Sequence, residues 1–381
     1  MAKYDFSELG NYVDSLQHHG IPGASVAVSV AGKRVFEGSY GFDDKELIHR
    51  TSASTAYDLY SMSKLYTTCA AMMLIERGAM NLDDPVAKWL PVFADVTVQT
   101  AQGPKPAQST LTVRHLMAMQ GGFDYEIGCK EIRDVVEKYG DKATTQQIIE
   151  GLAKRPLNFE PGTHMKYSLG HDVLGAVIEV VSGLKLRDFV KKNIFAPLGI
   201  GELAYHRADL WNPENVAAHY VYDNDKHTAK VTDDGNIFIF SSEYDSGGAG
   251  LTGTCDAYMR LPEVLSMNGQ LPDGSWLLKP ETIKLWSTNQ QTAPGPKADW
   301  EGWHRVGYGY ALGVRTAIDP ILTYSAFGEF GWDGAAGSFA LVDPVNRVAL
   351  TYMQSVLNCG YAFGTVHADL RKILYKILAK A

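Results

Sequence analysis

Cysteine is scarce in this chain: Cys69, Cys129, Cys255 and Cys359 are the only four in 381 residues, widely spaced and without a Cys-x-x-Cys pair. Four is too few for a disulfide scaffold, so free thiols are expected. An excess of positive charge is also missing. With 35 Lys and Arg against 43 Asp and Glu the formal net charge is −8, a field that repels polyanions and argues against a nucleic-acid partner. No apolar run approaches membrane-spanning length, and the N-terminal MAKYDFSELGNYVDSLQ lacks a basic patch followed by an apolar stretch. A membrane partner is therefore not expected, and the chain reads as cytoplasmic. There is no Gly-x-Ser-x-Gly elbow, which argues against an α/β-hydrolase triad, and no phosphate-binding glycine loop. His115, His164 and His171 form no pair with metal spacing and a third ligand nearby, so they read as structural, and neither a metal nor a cofactor is expected.

What is present describes a folded enzyme-sized chain. A composition 45% hydrophobic, 20% charged and 11% aromatic is globular, and the length favours two structural lobes over one core. Residues 5–19 carry Phe6, Leu9, Tyr12, Val13 and Leu16 at helical spacing up to Gly20. Ala24–Val30 and Lys33–Tyr40 flank Ala31-Gly32 as a hairpin, and strand-like runs return at 307–315, 337–342 and 347–353 before a helix over 366–378. Between these ends, helical periodicity dominates at 63–77, 111–119, 143–153, 171–182 and 256–267, while 99–110 and 287–304 read as Gly/Pro-rich loops. The expected fold is α/β of the α+β kind. Residues 1–60 with 260–381 would form an antiparallel sheet covered by the terminal helices, and 61–259 a mainly helical lobe, with a site between them. Trp300 and Trp303, in the second loop, either pack it down or form an aromatic lip on that site.

Ser61-Met62-Ser63-Lys64 places a hydroxyl and an amine three residues apart at the start of an apolar helical run. Residues i and i+3 share a helix face, and the helix N-terminus favours a developing oxyanion. A second Ser-x-x-Lys, Ser182 to Lys185, follows a predicted helix that Gly183 terminates, so its side chains should not share a face.

Other segments make the first motif specific. Tyr60–Lys64 with Leu82-Asp83-Asp84-Pro85-Val86, then Thr112–Leu116 with Gly121-Gly122-Phe123, resemble the serine β-lactamase/DD-peptidase superfamily. The same is true of Phe159–Thr163 leading into Tyr167-Ser168-Leu169, of Gly247–Leu251, and of Phe330–Gly337, all in order along the chain. The resemblance implies Ser61 as nucleophile, Lys64 and Tyr167 as proton-transfer partners, and the N–H groups of Ser61 and Ala335 as oxyanion hole. Either Lys64 or Tyr167 is the base. Gly334 would let substrate approach the backbone closely.

The departures from the pattern carry information as well. Leu169 stands where β-lactamases and peptidases usually have Asn, Trp332 replaces the Lys or His of the third motif, and Asp333 replaces its hydroxyl residue. Leu169, Trp332, Asp333 and Gly334 would line the substrate site. Asp333 would then repel anionic substrates, unless it turns away to pair with Arg305 or Arg315. Tyr-Ser-Leu with a third-motif Trp is closer to the carboxylesterases and acyltransferases of the superfamily. The expected activity is hydrolysis of a small-molecule ester, or an amide, through an acyl-serine. A weak β-lactamase or D-amino-acid peptidase acting on a lactam or amide, an acyltransferase, and a non-catalytic sensor are the alternatives. The sequence leaves the oligomeric state open.

Overall fold

The N-terminal hairpin forms around its two turn residues. In the computed structural model, which describes residues 4–380, strands Gly23–Val30 and Lys33–Gly41 are joined by Ala31 (φ 51°) and Gly32 (φ 71°). Two consecutive left-handed residues make the tight turn whose twist matches the flanking strands. On the other side of Gly23–Val30 lies Val348–Gln354 from the far end of the chain, with Val26 opposite Tyr352. The complete sheet is antiparallel, in the order Tyr308–Tyr310, Arg315–Ala317, Phe330–Gly331, Phe339–Asp343, Val348–Gln354, Gly23–Val30, Lys33–Gly41.

Strand alternation sorts the sheet's side chains into two cores. Val26, Val28, Phe339, Leu341, Leu350 and Tyr352 pack with Leu9 and Val13 of helix Ser7–Ser15 and with Leu370 and Leu374 of helix His367–Leu378. Ala27, Ala340, Val342, Ala349 and Met353 enter a larger core with helices Ser63–Glu76 and Cys255–Ser266. Small residues predominate on this second face, and helix Cys255–Ser266 lies directly against it. Cutting a fully buried leucine such as Leu350 to alanine costs about 2–5 kcal/mol in a core of this kind.

Four stretches depart from the sequence expectation. Residues 307–315 are not one strand, because the chain turns between Ala311 and Val314, whose N–H and C=O bond at 2.8 Å, and two short strands result. Residues 99–110 contain a small hairpin, Thr97–Thr100 with Gly103–Pro106, whose prolines are tolerated in a two-stranded edge. The 287–304 loop contains helix Pro294–Glu301, begun by a proline whose missing N–H costs nothing in the first turn. Strands at Leu203–Ala204, His219–Asp223, Thr228–Thr232 and Thr252–Thr254 interrupt the helical middle. All four cysteines are unpaired and buried. Among the described residues no helix is long and apolar enough to cross a membrane.

Candidate active site

From Thr55 to Leu74 every residue is buried except Ser61, which is partly exposed. Ser61 sits in a 3-10 turn, Tyr60–Met62, that runs directly into helix Ser63–Glu76. Tyr60 before it has φ 46°, a left-handed conformation that costs a bulky residue about 1–3 kcal/mol. The surrounding structure holds that conformation, and the hydroxyl is presented at the positive end of the helix.

Lys64, one turn on, is fully buried. Its Nζ reaches Ser61 Oγ at 3.2 Å, the Tyr125 hydroxyl at 2.7 Å and the Gly248 carbonyl at 2.8 Å. It also lies 4.6 Å from the centre of the Tyr167 ring and 5.4 Å from that of Tyr125. Burial lowers its pKa from 10.5 to about 7, against the opposing pull of Asp172 and Asp333. The Tyr167 hydroxyl accepts a 2.8 Å hydrogen bond from Trp332 Nε1. Burial pushes the Tyr167 phenol well above its ordinary value, and hydrogen bonds with Ser61 and Trp332 offset only part of the rise. The Tyr125 phenol is pushed up for the same reason. The site therefore holds one group beside Ser61 that changes protonation near neutrality and two phenols that keep their protons.

The third-motif segment departs from expectation in three ways. Asp333 does not present a bare charge: Arg305 grips both its oxygens at 2.7 and 3.3 Å, and His367 Nδ1 lies 3.8 Å away. The Arg305 guanidinium holds this carboxyl below its usual range although burial opposes it. Gly334 is buried, and a Cβ there would stand 2.4 Å from the Leu59 carbonyl, so the glycine admits the close approach of a neighbouring backbone. Trp332 is 1% exposed, and so is Leu169, which packs in the core beneath helix Gly170–Ser182. Neither side chain is exposed; Trp332 meets Tyr167 through its Nε1 hydrogen bond. Ala335 is exposed beside the turn that carries Ser61.

The two loop tryptophans differ in burial. Trp300 is buried and donates its Nε1 to the Tyr308 carbonyl at 2.7 Å, while Trp303 is 39% exposed with its ring 5.3 Å from that of Tyr167. His115 closes a capping box with Thr112, His164 meets Asp299 at 3.0 Å, and His171 bonds the Met117 carbonyl. No group of side chains suited to hold a metal ion occurs among the described residues. Tyr125 is a residue that the sequence reading left without a role at the site; Arg305, one of the two cations considered for Asp333, is the one that pairs with it. Tyr125 stands two residues beyond the Gly121-Gly122-Phe123 loop, and that proximity was the one available signal.

Comparison with known proteins places this geometry. The chain is 28% identical over 385 residues to the esterase EstB of Burkholderia gladioli, covering 95% of this chain and 92% of the esterase. Its structure superposes on EstCE1, described as a hydrolase with promiscuous acyltransferase activity, with TM-score 0.78 and 26% identity over 97% of this chain and 98% of that one. The fold is shared with simvastatin synthase (LovD) of Aspergillus terreus at TM-score 0.80 and 19% identity, over 97% of this chain and 98% of that one. Residues 9–360 match the family model Beta-lactamase, and the chain belongs to that family.

Proposed function

We propose that the protein is a serine hydrolase that cleaves a neutral carboxylic ester through an acyl-Ser61 intermediate. The observation that carries this reading is the fully buried Lys64 amine 3.2 Å from a partly exposed Ser61 hydroxyl, with its pKa brought to about 7. A serine hydroxyl needs a base as it attacks, and a base titrating near the working pH is the most effective. Lys64 fills that role and Tyr167 does not, because burial keeps the phenol protonated.

As Ser61 Oγ bonds to the ester carbonyl carbon, its proton passes to Lys64 Nζ. The oxyanion is held by the N–H groups of Ser61 and Ala335. When the tetrahedral adduct collapses, the C–O bond to the alcohol breaks and the leaving oxygen takes the proton of Tyr167. The resulting phenolate is stabilised by the Lys64 ammonium and the Trp332 N–H, and Lys64 then returns a proton to it. Water attacks the acyl-serine by the same route in reverse.

Neutral substrates are favoured because Arg305, the cation beside the third motif, is already committed to Asp333 and cannot bind a substrate carboxylate. The aromatic rings of Trp303, Tyr167 and Tyr125 form an apolar wall beside Ser61. Esterase EstB and the hydrolase EstCE1 agree with this reading, and the EstCE1 description supports a second one, acyl transfer to an alcohol. The test is turnover of p-nitrophenyl butyrate against a chromogenic cephalosporin, with and without added methanol. Faster ester than lactam turnover is expected, and methyl butyrate appearing in preference to butyrate would favour acyl transfer. A lactam rate rivalling the ester rate would contradict the proposal.

A further inference from the structure

The glycine-rich run Gly247–Leu251 supplies no group to the proposed chemistry, yet it is built against Lys64. Thr67 Oγ1 donates to the Gly247 carbonyl at 2.7 Å, Lys64 Nζ to the Gly248 carbonyl at 2.8 Å, and the Leu251 N–H to Ser63 Oγ at 2.9 Å. These bonds tie the run to the helix that begins at Ser63. Its other side is tied to Asp172, in the first turn of helix Gly170–Ser182.

Asp172 is 1% exposed. Its Oδ1 accepts from the Tyr244 hydroxyl at 2.7 Å, Ser246 Oγ at 2.7 Å and the Gly248 N–H at 3.4 Å, all neutral donors. Its Oδ2 is buried with no hydrogen-bond partner. A carboxylate in that condition is costly unless an opposite charge lies nearby. A Cβ on Gly248 would stand 2.6 Å from Asp172 Oδ2 and 3.3 Å from Lys64 Nζ, so the two groups flank one residue, and a side chain there would displace the carboxylate. At Gly247 a Cβ would meet the His171 carbonyl at 2.3 Å. Both glycines keep the separation between carboxylate and amine short.

We propose that Asp172 is the positioning residue for Lys64: a buried counter-charge across Gly248 that orients Nζ toward Ser61 and sets how readily it releases its proton. The inference deepens the reading of Lys64 as the base and rests on it. Asp172 touches neither Ser61 nor the substrate site, and it opposes the burial that would otherwise carry Lys64 still lower. The other groups facing Lys64 do not titrate with it. The Tyr125 and Tyr167 phenols stay protonated, His171 is pushed down to about 3 by burial and by Lys64 itself, and Asp333 is held ionised by Arg305.

The experiment compares wild type with Asp172→Asn, which keeps the shape and the Oδ1 acceptor but removes the charge. Two readouts are taken: the 13Cε chemical shift of Lys64 against pH, and kcat/KM for p-nitrophenyl butyrate against pH. Loss of a carboxylate at this range should lower the Lys64 midpoint by about one pH unit. The acidic limb of kcat/KM should move the same way, so the variant keeps relatively more activity at pH 6. Asp172→Ser, also uncharged, gives the same direction should the asparagine variant not fold. A Lys64 midpoint unchanged in a folded variant would overturn the proposal, even if activity fell evenly at all pH values. Wild type that neither turns over the ester nor labels at Ser61 would overturn the hydrolase reading instead, while the Lys64 shift still decides on Asp172.

Discussion

The chain contains Ser-x-x-Lys twice, at Ser61–Lys64 and at Ser182–Lys185, and the structure gives the two copies opposite fates. The first copy begins a helix; the second ends one, with Gly183 at φ 70° in the C-cap. Lys64 is fully buried and faces two phenols, a serine and a carbonyl. Lys185 is 44% exposed on its side chain and pairs with Glu243. The residue types and spacing are the same in both, so the chemistry lies in what surrounds them. Burial lowers the pKa of the first amine to about 7, while the second lies exposed against a surface carboxylate.

The sharpest break between the copies is at the serines. Ser61→Ala should lower kcat/KM for p-nitrophenyl butyrate by about 10⁴-fold or more, whereas Ser182→Ala should leave it unchanged in the same assay. Next come the proton-transfer partners. Lys64→Ala and Tyr167→Phe should each lower kcat by about 10²–10⁴-fold, and the double variant should fall little further, because groups acting as a unit are not additive. Lys185→Ala should cost no activity and, by removing an exposed ion pair, no more than about 1 kcal/mol in denaturant unfolding.

The pH profile sharpens the same contrast. Below a Lys64 pKa of about 7 the base is occupied by a proton, so kcat/KM should fall about tenfold per pH unit from neutrality downward and level off above it. A limb set by an ordinary surface lysine would instead stand near pH 10. Arg305→Gln leaves Asp333 buried without its cation and should destabilise the fold by about 3 kcal/mol, with Asp333→Asn in that background recovering part of the loss. Among substitutions at the site, the smallest loss of turnover is expected from Trp332→Phe. It removes one neutral hydrogen bond to Tyr167, a loss of about 1 kcal/mol, which lowers kcat by about fivefold.

The sequence already carried the sheet's outer hairpin, the long helices and the Ser61–Lys64 pair, because period-2 and period-3.6 patterns and turn residues are local. The helix Pro294–Glu301 escaped notice since its stretch is rich in Gly and Pro, and only tertiary packing of Pro296 and Trp300 decides its state. Tyr167 was legible from an ordered series of motifs; Tyr125 was not, because a phenol two residues past a glycine pair announces no partner 61 residues away. The charge of Asp333 was legible, and Arg305 and Arg315 were both candidate partners, but which of them holds it was not. Its cation, Arg305, lies 28 residues earlier on a separate loop, and such pairings are set by the fold.

Covalent labelling decides whether environment, and not the motif, selects one of the two Ser-x-x-Lys pairs. The protein is treated with a fluorophosphonate probe at pH 8, digested and mapped by mass spectrometry. A single adduct is expected on the peptide containing Ser61, lost in Ser61→Ala and strongly slowed in Lys64→Ala. An adduct on the peptide containing Ser182, or labelling of Ser61 at an undiminished rate without Lys64, would contradict that selection.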